Sequence, residues 1–182
     1  MRREPLWLGL AAIALGACAH ARADAPVVAP DGGGWTVVPH VRPLAQTGDA
    51  DCGPAALATA LGRWGLAPGP HAFPHGPTRG DGASAGELRD EARRLGLAAF
   101  VIEGKPGDLK AEIDEGHPVV VGLIVVARDA RIPHFTVVVG HDAEAQRWLV
   151  ADPALGVHTI KTGALQEAWA RAGWVTLVMG PR

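Results

Sequence analysis

The order of apolar and polar residues divides the chain into helical and extended stretches. From Pro54 the sequence runs Ala55-Ala56-Leu57-Ala58-Thr59-Ala60-Leu61, with Leu57, Leu61 and Trp64 on one face. Alanine and leucine favour a helix, and proline is tolerated in its first turn. Ser84 with Glu87 three residues on forms a capping-box pattern, followed by Leu88, Ala92 and Leu95 on one face and a stop at Gly96. Asp108 to Glu115 reads as a short helix ended by Gly116, and Leu165 to Arg171 as a last one. Apolar runs rich in Val and Ile predict strands over Trp35 to Val41, Leu97 to Ile102 and Pro118 to Ala127. A hairpin runs from Pro133 to Val139 and back through Trp148 to Ala151, and Trp174 to Met179 closes the chain. Helices come early and most strands late, which is the α+β pattern, and no internal repeat is visible.

The amino-terminal stretch does not belong to this pattern. Arg2 and Arg3 precede an apolar segment from Leu6 to Ala17, too short to span a bilayer and shaped like a secretory signal. Its ending, Leu15-Gly16-Ala17-Cys18, resembles the lipobox of bacterial lipoprotein precursors, which implies cleavage before Cys18 and lipidation of that cysteine. An ordinary signal peptide with Cys18 incidental is the alternative. Ala19 lacks the acidic residue associated with inner-membrane retention, which favours the outer membrane facing the periplasm. Residues 19–34, rich in small residues, Pro and Gly, read as a flexible tether. The expected organisation is therefore a signal over 1–18, a tether over 19–34 and one globular domain over 35–182.

Composition narrows the function classes. With 48% hydrophobic residues, 20% charged and a formal net charge of -2, the chain has no basic patch for nucleic acid. It carries two cysteines, and lipidation of Cys18 leaves Cys52 alone in a compartment where structural thiols are usually paired.

Asp51-Cys52-Gly53-Pro54 places that cysteine where a loop enters a helix. There the free backbone N–H groups and the helix dipole stabilise a thiolate, and the same N–H groups can hold an oxyanion. Cysteine is also among the most buried residue types, so a structural thiol fits this feature equally. A hairpin reversal centred on Ala143 sets His134 directly opposite Asp152, within reach for a carboxylate to orient an imidazole. Taken singly, His134 reads as a strand-end surface histidine and Asp152 as a turn residue before Pro153. Gln46, six residues before Cys52, could add its amide to an oxyanion hole. Asp49 and Asp51 read as loop-holding residues, the latter as a helix cap. His71 and His75 lie in a Pro/Gly loop without the converging ligands that zinc needs, and His141 falls on the hairpin turn.

Three motifs in order, Gln46-Thr47-Gly48-Asp49-Ala50-Asp51-Cys52-Gly53-Pro54, His134-Phe135-Thr136-Val137-Val138-Val139-Gly140 and Asp152-Pro153, resemble the bacteriocin-processing cysteine peptidase family, number thirty-nine of the cysteine class. The resemblance spans Val38 to Val178. It implies a papain-like fold, with a cysteine-bearing helix packed on an antiparallel sheet that bears the histidine. It also implies Cys52 as nucleophile, His134 as general base and acid, Asp152 as its orienting partner and Gln46 in the oxyanion hole. A peptide or protein substrate follows, with no metal, nucleotide or other cofactor. Many members are domains of peptide exporters that cut after paired glycines. Here no membrane span and no phosphate-binding Gly-Lys-Ser/Thr loop accompany the motifs, and Arg63-Trp64-Gly65 replaces an aromatic pair, so transport does not carry over and the double-glycine preference stays open. Gly32 to Gly34 themselves resemble such a cleavage site. A catalytically silent domain of the same fold, binding a peptide or envelope partner, is the alternative function.

Overall fold

The computed structural model describes residues 25–69, 72–73, 82–128 and 130–182. The signal, Cys18, His71 and His75 lie outside them. Among the described residues the elements are β1 (Trp35–Val37), α1 (Cys52–Leu61), α2 (Ala85–Arg94), β2 (Ala98–Glu103), α3 (Pro106–Asp114), β3 (Val119–Ala127), β4 (Ala130–Asp142), β5 (Arg147–Asp152), β6 (Gly156–Lys161), α4 (Thr162–Arg171) and β7 (Val175–Gly180). The strands form one antiparallel sheet in the order β2-β7-β3-β4-β5-β6. The expected α+β class is what the chain adopts. The capping box of α2 is formed as expected, Ser84 accepting from the Glu87 N–H and the Glu87 carboxylate accepting from the Ser84 N–H.

The middle of the sheet is covered on both faces. Val119 to Leu123 in β3 and Thr136 to Asp142 in β4 are buried without a break, which requires layers above and below. Phe135 faces the first turn of α1, where a Cβ on Gly53 would lie 3.3 Å from its ring. Alternation then turns His134 towards the opposite face, where Ala168 of α4 lines the same cavity. α1 is enclosed more completely than a single apolar face predicts: Gly53, Ala55, Ala56, Thr59 and Ala60 are buried with Leu57 and Leu61. Small side chains let it sit that close to the sheet.

Sequence reading placed no strand over residues 156–161, yet β6 pairs along the whole of β5. Its alternation is weak because it is an edge strand with mostly exposed residues. β1 is shorter than expected and pairs with the far half of β4, Val37 opposite Gly140 and Trp35 opposite Asp142. Residues 25–34 are mostly exposed and touch the domain at two points. Val27 is buried, its N–H donates to the Val41 carbonyl at 2.8 Å, and a Cβ on Gly33 would lie 2.5 Å from the Asp142 carboxylate. The glycine run thus sits at Asp142, eight residues or about 26 Å along β4 from His134. Cleavage of that run by its own domain would require β1 and the preceding segment to leave the sheet.

The β4–β5 register differs from the one expected. Asp142 pairs with Arg147, His141 with Trp148 and Gly140 with Leu149, but beyond Gly140 the register shifts, so that Val138 pairs with Val150 and Val137 with Ala151. Continuing by one residue brings Asp152 level with Thr136, so His134 is its diagonal neighbour rather than its direct opposite. The bulge matters because strand side chains alternate. In the outer register Asp152 would pair with Val137, and His134 would project from the other face; the extra residue, Val139, restores a common face. Gly140 sits beside the bulge because any Cβ there would be 2.8 Å from the Thr36 carbonyl of β1.

Candidate active site

Cys52 is the first residue of α1, and the local sequence leaves the helix start uncapped. Asp51 does not cap it: its carboxylate instead accepts from the Thr47 hydroxyl at 2.5 Å, closing the approach loop. The unclaimed N–H groups serve the cysteine, whose sulfur is hydrogen-bonded by the Gly53 and Phe135 N–H groups and by the His134 side chain. β5 ends at Asp152, which leaves this stretch of the β4 edge free for the sulfur.

His134 bridges Cys52 and Asp152. Its Nε2 lies 2.8 Å from Asp152 Oδ2, so its other nitrogen, Nδ1, is the one turned to the sulfur. A diagonal pair on neighbouring strands is within reach of an imidazole. Asp152 is itself fixed, its Oδ1 accepting from the Ala154 and Leu155 N–H groups at 2.9 and 3.1 Å. Both partners are largely shielded, at 13% and 6% side-chain exposure, which strengthens their interaction over that of a surface pair.

These contacts set the charge states. Burial pushes the Cys52 thiol up, but the hydrogen bonds from His134 and the Phe135 N–H, with the imidazolium charge, outweigh it and hold the thiol below its ordinary value. Burial likewise pushes His134 down, yet its bonds to Asp152 and Cys52 raise it to about 9. Burial raises Asp152, and the bond and charge of His134 more than reverse that. A lowered thiol beside a raised imidazole shifts the pair towards thiolate and imidazolium, backed by a carboxylate, an arrangement that can make sulfur a better nucleophile beside a proton donor.

Gln46 is joined to the site through its backbone, its N–H donating to the Pro153 carbonyl at 2.9 Å next to Asp152. Its side-chain amide gives one N–H to the Gly48 carbonyl at 3.1 Å and retains a second. Leu44 ties the same loop to α1 through Thr59 Oγ1 at 2.9 Å. Asp49 lines a cavity of about 210 Å³ together with Cys52, Ala83, Ile132 and Phe135. His141 stands apart: it is buried inside β4 rather than on a turn, hydrogen-bonded to Asp114 at 2.7 Å and edge-on to Trp148. That is a structural role.

Sequence reasoning missed the Phe135 N–H, which is free only because β5 stops where it does. It also missed the wall that β6 and Leu155 add to a larger cavity of about 600 Å³ beside His134 and Asp152. The isolated leucine between Pro153 and Gly156 was the available signal for it.

A sequence profile of the Peptidase C39 family matches residues 40–181. Among solved structures, a C39-like peptidase from Bacillus anthracis superposes with a TM-score of 0.65 at 16% identity, covering 82% of this chain and 98% of that one. The peptidase domain of Streptococcus ComA, a bifunctional ABC transporter involved in quorum sensing, gives a TM-score of 0.63 at 21% identity, covering 79% of this chain and 100% of that one. A double-glycine-motif protease from an AMS/PCAT transporter, solved with its leader peptide, gives 0.57 at 22% identity, covering 78% and 92%. Comparison with curated proteins returns no match. These likenesses carry the papain-like fold, as the three motifs led one to expect.

Proposed function

We propose, for a chain that belongs to the Peptidase C39 family and is a cysteine peptidase, that hydrolysis runs through Cys52, His134 and Asp152. The observation that carries this reading is the single hydrogen-bonded line from the Cys52 sulfur through His134 to Asp152 at the open start of α1. The Cys52 thiolate attacks the peptide carbonyl, the carbon–sulfur bond forms and the carbon–nitrogen bond breaks. The departing amine takes its proton from His134 Nδ1. Water, losing a proton to the same nitrogen, then attacks the thioester and frees the thiolate. Asp152 holds the imidazole with Nδ1 towards sulfur and steadies its positive form. The Cys52 N–H and the remaining N–H of the Gln46 amide receive the oxyanion.

The substrate is a peptide or protein segment, a reading supported by the leader peptide bound in the AMS/PCAT protease. The chain acts in the bacterial cell envelope, exported by residues 1–18 and lipid-anchored at Cys18, in the outer membrane facing the periplasm. The lipobox-like Leu15-Gly16-Ala17-Cys18 supports this, and the expected shift of a Cys18→Ser protein from the membrane to the soluble fraction tests it.

The triad is tested without any substrate by the rate of alkylation at Cys52 against pH, read on the peptide that contains it. The expected apparent pKa lies well below the unperturbed thiol value of about 8.5 and returns towards it in His134→Ala. A normal, His134-independent titration would instead leave a silent peptide-binding domain as the reading.

A further inference from the structure

Two cavities flank the site, and each touches a different part of it. The larger, about 600 Å³, has His134 and Asp152 in its wall but not Cys52. The smaller, about 210 Å³, has Cys52 in its wall but neither His134 nor Asp152. Most of the larger wall is apolar: Leu123 and Val125 from β3, Ile132 from β4, Leu155 from the β5–β6 turn and Ile160 from β6. Several of these side chains face solvent, Leu155 at 76%, Ile132 at 47% and Val125 at 40% exposure. Apolar side chains gathered around a concavity gain by being covered. Of the cationic groups in the wall, His134 is engaged by Asp152 and Arg171 by Glu167, so the cavity is not built for an anion.

The chemistry tells the two halves of a substrate apart. During acyl transfer the carbonyl half becomes bonded to the Cys52 sulfur, while the amine half leaves with a proton from His134. The acyl half therefore rests beside Cys52, and the leaving half passes over the imidazole. We infer that the larger cavity receives apolar side chains from the segment just after the cleaved bond, so that this peptidase selects its substrates on the leaving side. The inference rests on the peptidase reading above. Leu155 belongs to this cavity alone, Ile132 to the walls of both cavities, and the occupant of the larger is a leucine- or phenylalanine-like residue.

Capture of the acyl-enzyme by added amines isolates this subsite, because the amine enters by the path along which the leaving half departs. The full chain is acylated with N-blocked dipeptide p-nitrophenyl esters, which carry no residue after the cleaved bond. Acylation of Cys52 is followed by the mass of the quenched protein and of its Cys52 peptide. Amides of glycine, leucine, phenylalanine and aspartate are then offered. The amine nitrogen attacks the thioester, His134 takes its proton, and the thiolate is released as the new amide bond forms. Leucine and phenylalanine amides are expected to intercept the acyl-enzyme about tenfold or more better than glycine amide, the scale of discrimination an apolar pocket provides. In Leu155→Ser, on the β5–β6 turn, and Val125→Ser, on β3, that preference falls to about threefold or less. The ratio is read only on acyl-enzyme that has formed, so a slowly acylating variant still reports. Equal capture of all four amides by acylated wild-type protein overturns the inference and leaves the peptidase reading intact. Failure of every ester to acylate Cys52 overturns both.

Discussion

The two ends of β4 have the same neighbours in kind but not in completeness. At the Asp142 end the strand is paired on both edges, by β1 and by β5, and every residue from Thr136 to Asp142 is buried. At the His134 end β5 has already stopped, the Phe135 N–H turns to a sulfur, and residues Ala130 to Pro133 are exposed. The closed end pins register and twist; the open end presents unpaired donors and an imidazole to a cavity. One strand thus serves as both foundation and reactive edge, and the bulge at Val139 is where the first sets the second.

The open end is broken most severely by removing its members. On the proposed mechanism His134→Ala takes away both the proton donor and the cation that stabilises the thiolate, and kcat/KM on any cleaved peptide is expected to drop by about four orders of magnitude or more. Asp152→Asn keeps the turn, since an amide oxygen still accepts from Ala154 and Leu155, but loses the carboxylate charge. A decrease of about two to four orders of magnitude is expected, with alkylation of Cys52 shifted to higher pH. On the same mechanism Gln46→Ala removes one oxyanion donor and is expected to cost about two orders of magnitude, mostly in kcat, while Cys52 alkylation stays near wild type. That split separates a residue that receives the oxyanion from one that merely holds the loop.

The pH profile follows from the same pair. In the proposed mechanism its imidazolium donates the proton and is lost as pH rises through about 9, so kcat/KM is expected to fall on the alkaline side there, about tenfold per pH unit. Stability moves with it. A group raised from 6.5 to about 9 on folding contributes fully below 6.5 and loses that contribution as pH passes through 9. The Cys52 thiol, lowered on folding, gains over the same interval and offsets this loss, so a decline of the thermal midpoint is expected to be clear in Cys52→Ser and weak in wild type.

The scaffold around the site was largely legible in the sequence: runs of Val in β3 and β4, the capped start of α2 and the glycine stop after it are all short-range signals. The three residues that the fold brings together were legible as candidates too, because Cys52, His134 and Asp152 each stand at an element's edge in recognisable company. What could not be read was how they meet. The placement of His134 depends on a one-residue bulge, and the bulge depends on where β1 crosses β4, a contact between residues about a hundred positions apart in the chain. β6 escaped notice because an edge strand needs no strong apolar alternation, and Asp51 looked like a cap because its alternative partner, Thr47, lies outside the helix. Periodicity reports local geometry; register across strands is decided by distant contacts.

The smallest effect is expected where the two ends are coupled. Gly140→Ala places a methyl group 2.8 Å from the Thr36 carbonyl, a backbone atom that cannot swing aside as a side chain would. Either β1 moves outward or the bulge relaxes, and overpacking of this kind costs about 1–3 kcal/mol of stability. If the bulge were only a local accommodation, the thermal midpoint would drop and the site would be untouched. The geometry of β4 predicts more: a shifted bulge rotates His134 relative to Asp152, so the alkylation pKa of Cys52 should rise together with the loss of stability. Gly33→Ala makes the control, because its methyl would press on Asp142 at the same closed end, 2.5 Å from the carboxylate, without touching the bulge. A comparable fall in thermal midpoint with an unchanged Cys52 titration would then show that the register of β4, and not the stability of its closed end as such, is what tunes the thiol.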